Sequence, residues 1–166
     1  MVAIAGSADA SPAITIQSAG AMTVLVSSNP AAPLAAAAQH ALLIDTGPEA
    51  IAGSTRLKAA TAQKMVLNAL STAVMVRMGR TYSNLMVGMS GTNAKLRQRQ
   101  LSILSAVSGA QDAACRAELE RCGGDLRLSL LCLLSGLAPD AAGGPLADAG
   151  GSVRGALIQL GLGEPA

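Results

Sequence analysis

The stretch "GPEAIAGSTRLKAATAQK", residues 47–64, opens with a turn at Gly47-Pro48 and runs into a helix. The spacing predicts a helix from about Ser54 to Met78, stopped by Gly79. Arg56 and Lys58 then fall in its first turn, where the helix already carries partial positive charge and two cations cost stability unless something offsets them. Ser54 and Thr55 are suitable N-cap residues, and Gly53 lets a ligand approach the backbone closely. Two readings follow. Backbone N–H groups, hydroxyls and cations together would make an anion site. Alternatively the end is an ordinary cap whose Arg56 and Lys58 point into water. Glu49 is a candidate acid or base, or the partner of Arg56 or Lys58.

Outward from this stretch, the helix middle "MVLNALSTAVMV" (65–76) is apolar on nearly every face, which places it inside a structure or an assembly. Upstream, "MTVLVS" (22–27) and "ALLID" (41–45) read as strands flanking a short alanine helix, "APLAAAAQ" (32–39), with "VAIA" (2–5) as a further strand. Strand, helix, strand with tight connections predicts a βαβ unit and a parallel sheet. Ligands of such sheets bind where strands end and helices begin. The hydroxyl-bearing loops "GSADAS" (6–11) and "SSN" (27–29) lie there, as sugar contacts or as ordinary turns. Downstream, 81–93 reads as an extended or irregular connection and 94–109 as a helix. Two short helices broken at Gly123-Gly124, a Gly/Pro/Ala/Asp loop over 138–151 and a last helix "SVRGALIQLG" predict a small three-helix module over 110–166.

Composition bounds the function class. The chain has 166 residues, 51% hydrophobic, with one Tyr and no Phe or Trp, so its core must be built from aliphatic residues and seven Met. A net charge of +2 with 13% charged residues offers no broad basic face for nucleic acid. Cys115, Cys122 and Cys132 are spaced unlike a zinc knuckle and read as free thiols. His40 has no nucleophile or carboxylate nearby in sequence and reads as structural. No basic, continuously apolar leader opens the sequence. The uncharged run 65–76 makes only about 18 Å of helix, too short for a bilayer. A soluble, cytoplasmic chain without metal or cofactor is the expectation.

Taken together, "GPEAIAGSTRLKAATAQKMVLNALSTAVMVRMGRTYSNLMV" closely resembles the N-acetylmuramic acid 6-phosphate etherases. The similarity extends back through "GAMTVLVSSNPAAPLA" and forward through "TNAKLRQRQ", covering nearly the whole chain but only about the second half of the family pattern. The resemblance implies an α/β fold: a partial sugar isomerase (SIS) domain, a three-layer parallel sheet with flanking helices, over 1–109. A small ubiquitin-associated-like helical module follows over 110–166. It implies a phosphorylated amino sugar bound between protomers of a homodimer, or an association with a missing N-terminal half. The implied reaction removes a proton from C2 of the opened sugar, expels lactate from C3 and adds water, without a metal. Products are GlcNAc 6-phosphate and D-lactate. The residues it assigns to substrate binding are Ser54, Thr55, Arg56, Lys58, Glu49, Ser27, Asn29 and Ser7. It assigns no catalytic residue, because the family's two catalytic glutamates lie in segments with no counterpart here. Departures are Asp9, where the phosphate loop of the family carries Arg, and Ala60, Gly88 and Gly91. A non-catalytic sugar-phosphate-binding module, or an assembly subunit without a ligand, are the competing expectations.

Overall fold

The computed structural model describes residues 22–163, together with Gly20. The strand at 2–5 and the loop at 5–12, including Ser7 and Asp9, lie outside the described residues. The fold is mixed α/β, with a small parallel sheet and six α-helices among the described residues. Two compact units divide between Ser71 and Thr72.

In the first unit, β1 (Val24–Ser27) pairs in parallel with β2 (His40–Leu43), in a register that sets Val24 against His40 and Ser27 against Leu43. The apolar, β-branched run of β1 is buried along its whole length, whereas β2 is exposed. The connection is a 3₁₀ turn, Pro33–Ala37, rather than an α-helix. Pro33 opens it and only Leu34 is buried, so the segment has a single anchor and no repeating apolar face to lengthen it. Thr23 closes the crossover: its Oγ1 accepts from the Gln39 N–H, and its own N–H donates to Gln39 Oε1.

Helix α1 (Lys58–Arg77) continues across the division between the units. It ends as the sequence predicts. Gly79 takes φ +66°, and the N–H groups of Gly79 and Arg80 return to the Val76 and Met75 carbonyls. Within the described residues α1 buries little; Met65 is 67% exposed, and Leu70, Val74, Met75 and Val76 are also exposed.

The second unit is built around one helix. The connection at 81–93 contains a two-residue-strand hairpin, β3 (Thr81–Tyr82) with β4 (Leu85–Met86), turning through Ser83 at φ 51°. Helices α2 (Ala94–Ser108), α3 (Asp112–Arg121), α4 (Leu126–Ser135), α5 (Pro139–Asp148) and α6 (Val153–Gln159) follow. Helix α4 packs against α2, α3, α5 and α6, with Leu126, Leu130 and Leu131 essentially inaccessible. Caps fix its ends: Asp125 Oδ1 accepts from the Arg127 and Leu128 N–H groups, and Gly136 closes it at φ 74°. Asn93 and Ser152 cap α2 and α6 in the same way. The lone tyrosine, Tyr82, packs on this core with the Arg154 guanidinium 5.8 Å above its ring.

The expected loop at 138–151 is corrected: α5 occupies most of it, giving four helices after residue 110 where three were expected. Gly143, Gly144 and Pro145 argue locally against helix, but Ala142 and Leu146, four apart, are buried in the core. That burial outweighs the propensity cost. Pro139 at the helix start needs no hydrogen-bonded N–H. Because Leu130 is fully buried at the hub, Leu130→Ala should cost about 2–5 kcal/mol, read as a lower urea midpoint with unchanged slope.

Candidate functional site

The helix start that the sequence singles out is organised by Glu49. Its two carboxylate oxygens accept one hydrogen bond each, from the Lys58 N–H to Oε2 and from the Ala59 N–H to Oε1, both at 3.0 Å. Helix α1 therefore begins at Lys58, four residues later than Ser54, and Ser54 and Thr55 precede it. The capping side chain comes from nine residues upstream, not from the local Ser-Thr pair. The Lys58 ammonium donates to the Pro48 carbonyl at 2.8 Å, closing residues 48–58 into a loop from the other side. The Ala60 N–H donates to the Thr55 carbonyl at 3.0 Å, so the entry into the helix is wider than an α-turn.

This answers the electrostatic question posed by Arg56 and Lys58. A carboxylate sits on the positive helix end beside Lys58, and Arg56 precedes the helix instead of lying in its first turn as expected. Glu49 engages backbone N–H groups; among the described residues the ion pairs are Arg121–Glu118 and Arg127–Asp125, so its expected pairing with Arg56 or Lys58 is not formed. The hydrogen bonds from Ala59 and Lys58 hold the Glu49 carboxyl below its ordinary value of 4.5, with a lesser contribution from the Lys58 charge. A carboxylate so occupied is a weak base and a poor proton donor at neutral pH.

Arg56 and Thr55 are exposed and Ser54 is half-buried. Ser27 ends β1, where its Oγ accepts from the Asn29 N–H at 3.1 Å, and Asn29 Oδ1 accepts from the Ala31 N–H at 2.9 Å. The structure thus brings Glu49 and Lys58 together, while the side-chain hydrogen bonds of Ser27 and Asn29 stay within residues 27–31. Ser7 lies outside the described residues. His40 is exposed at the start of β2.

The second unit carries a cavity of about 650 Å³ whose lining includes Arg80, Arg97, Gln100 and Arg127. Two of these guanidiniums are already engaged, Arg97 with the Gly91 carbonyl and Arg127 with Asp125. The buried Gln100 amide spans the floor, donating to the Met89 and Gly124 carbonyls.

One cluster escapes sequence inspection altogether. Glu118, Cys122 and Cys132 converge from α3, its C-cap and α4, with Cys122 Sγ 3.5 Å from Glu118 Oε1 and 4.0 Å from Cys132 Sγ. Glu118 and Cys122 share one face of α3 as an i, i+4 pair, the only trace of it in the sequence. All three cysteines are free and buried. Burial raises each thiol, Cys132 to about 12, helped by the neighbouring Cys122.

The depressed Glu49 titration has a signed consequence. The cap contributes its full stability above pH 4.5 and loses it as pH falls through the lower folded value. Glu49→Gln should lower the thermal midpoint at neutral pH, and its gap to wild type should close progressively below pH 4.5, followed by circular dichroism.

No protein-family model matches the chain. Curated proteins do. The chain is 49% identical over 138 residues to an N-acetylmuramic acid 6-phosphate etherase of Deinococcus radiodurans, covering 83% of this chain and 45% of that protein. It is 56% identical over 117 residues to the enzyme of that name from Thermobifida fusca, covering 70% of this chain and 38% of that protein. The Rubrobacter xylanophilus protein of the same name is 49% identical over 138 residues, with the same coverage as the first. The chain spans somewhat under half the length of these relatives. Over that span it is similar to the N-acetylmuramic acid 6-phosphate etherases.

Proposed function

We propose that this chain supplies the sugar-phosphate-binding wall of an etherase-type lyase acting on N-acetylmuramic acid 6-phosphate, within a sugar-isomerase-type fold. The observation that carries this reading is 49% identity over 83% of the chain to a protein of that name, through the 47–64 stretch that forms the helix start. Arg56 is the group best suited to the anion: its side chain is exposed and, among the described residues, in no ion pair. Ser54 and Thr55 present hydroxyls beside it; Ser27 and Asn29, at the end of β1, and Ser7 are the further candidates. Glu49 is a positioning residue, because it fixes the turn that carries Arg56 and Lys58.

The reaction implied by the family takes a proton from C2, expels lactate from C3 and adds water. These steps need an acid and a base that reach the reacting atoms. Glu49, held ionised by two backbone N–H groups, is not suited to either role. The chain on its own is therefore a binding element, with the proton-transfer groups supplied by the remainder of an etherase. The exposed apolar side chains of α1 are the surface that such a remainder, or a second copy, would cover. The reading places the protein in the cytoplasm; among the described residues no single helix is long and apolar enough to cross a membrane. A purely non-catalytic sugar-phosphate module is the second reading, favoured by the same occupied carboxylate.

Isothermal calorimetry of the purified chain tests the binding wall. N-acetylmuramic acid 6-phosphate and GlcNAc 6-phosphate should both bind. Arg56→Ala should weaken both about tenfold, the worth of one charge-assisted hydrogen bond. Heats no larger than dilution for both sugars with the wild-type chain would end the reading.

A further inference from the structure

Among the features not absorbed by the etherase reading, the Glu118, Cys122 and Cys132 cluster has the geometry of a built site. Its three ligand atoms lie within 4.8 Å of one another. A tetrahedral zinc centre, with Zn–S of about 2.3 Å and Zn–O of about 2.0 Å, holds its sulfurs about 3.8 Å apart and a sulfur and an oxygen about 3.5 Å apart. The observed separations are 4.0 Å between the two sulfurs and 3.5 Å between Cys122 Sγ and Glu118 Oε1. The third edge, Cys132 to Glu118, is bounded by the 4.8 Å that spans all three ligand atoms, so closing the site around an ion draws that edge in by up to about 1.3 Å.

The surroundings suit a cation as well. Glu118 is 8% exposed, Cys122 8% and Cys132 4%, so the ligands are shielded from competing water. Arg121 Nη1 donates to Glu118 Oε2 at 2.7 Å, which leaves Oε1 turned toward the thiols. Such an outer-shell partner orients a ligating carboxylate. A divalent ion, two thiolates, one carboxylate and the Arg121 guanidinium together are neutral, so the occupied site leaves no uncompensated buried charge. Arg121 itself is half-exposed.

We propose that Glu118, Cys122 and Cys132 bind a thiophilic divalent cation of the zinc type, tying α3 to α4. As the metal–sulfur bonds form, the two thiol protons leave to solvent, and the carboxylate binds through Oε1 without a change of protonation. Soft sulfur ligands exclude magnesium and calcium, which take oxygen donors. The site is distant in sequence from residues 47–58, and its occupancy is independent of the sugar-phosphate reading.

Cobalt(II) titration of the reduced, chelator-treated full chain tests this. One equivalent should produce a thiolate-to-cobalt charge-transfer absorption in the near ultraviolet, bleached by zinc(II) but not by magnesium(II). Zinc(II) should raise the thermal midpoint of the wild-type chain. Cys115→Ser, outside the cluster, should keep the absorption, and Cys122→Ser and Cys132→Ser should lose it. The wild-type measurement decides the matter even where a variant fails to fold. No charge-transfer band in the wild-type chain overturns the proposal, as does a band that survives in both Cys122→Ser and Cys132→Ser.

Discussion

The burial of Leu126, Leu130 and Leu131 on one short helix is the constraint on which the second unit depends. Helix α4 contributes these side chains to a core that also holds Leu101, Leu104, Leu146 and Leu157, and each of its four helical neighbours packs against it. With no Phe or Trp in the chain, no large ring fills space between helices, so close packing rests on many aliphatic contacts of modest size. Fully burying one such side chain is worth about 1.5–3 kcal/mol. The Asp125 cap and the Gly136 stop hold α4 to the length that presents those leucines inward.

In the first unit a single carboxylate plays the corresponding part. Glu49 satisfies two N–H groups that a helix start leaves unpaired, and thereby decides where α1 begins. The consequence is functional. Had Ser54 and Thr55 capped the helix, Arg56 would lie within it and its backbone would be committed to the first turn. With the start at Lys58, residues 50–57 form a turn that displays Arg56 and Thr55 to solvent. The two N–H groups at the helix end are occupied by Glu49 and are not free for an exogenous anion.

Much of this was legible from local pattern. The buried β-branched run of β1, the parallel partner beyond a short crossover, the glycine stop at Gly79 and the break at Gly123-Gly124 all follow from neighbouring residues. What escaped depends on contacts distant in sequence. Glu49 caps a helix from nine residues away, which no local capping rule finds. Helix α5 forms across Gly143-Gly144-Pro145 because α4 offers a surface for Ala142 and Leu146. The Glu118, Cys122 and Cys132 cluster draws on two helices, and only its Glu118–Cys122 half has a spacing that a sequence can show. The apolar run of α1 was read as needing cover, and among the described residues it is exposed.

The central claim is that this chain carries one part of an etherase site and needs the rest for chemistry. The direct measurement is D-lactate release from N-acetylmuramic acid 6-phosphate by this chain alone, and by this chain mixed with the portion of the Deinococcus radiodurans protein that it does not cover. The account predicts no lactate from either piece alone and lactate from the mixture. Turnover by this chain alone at the rate of the intact relative, or none from the mixture while the intact relative is active, would contradict it.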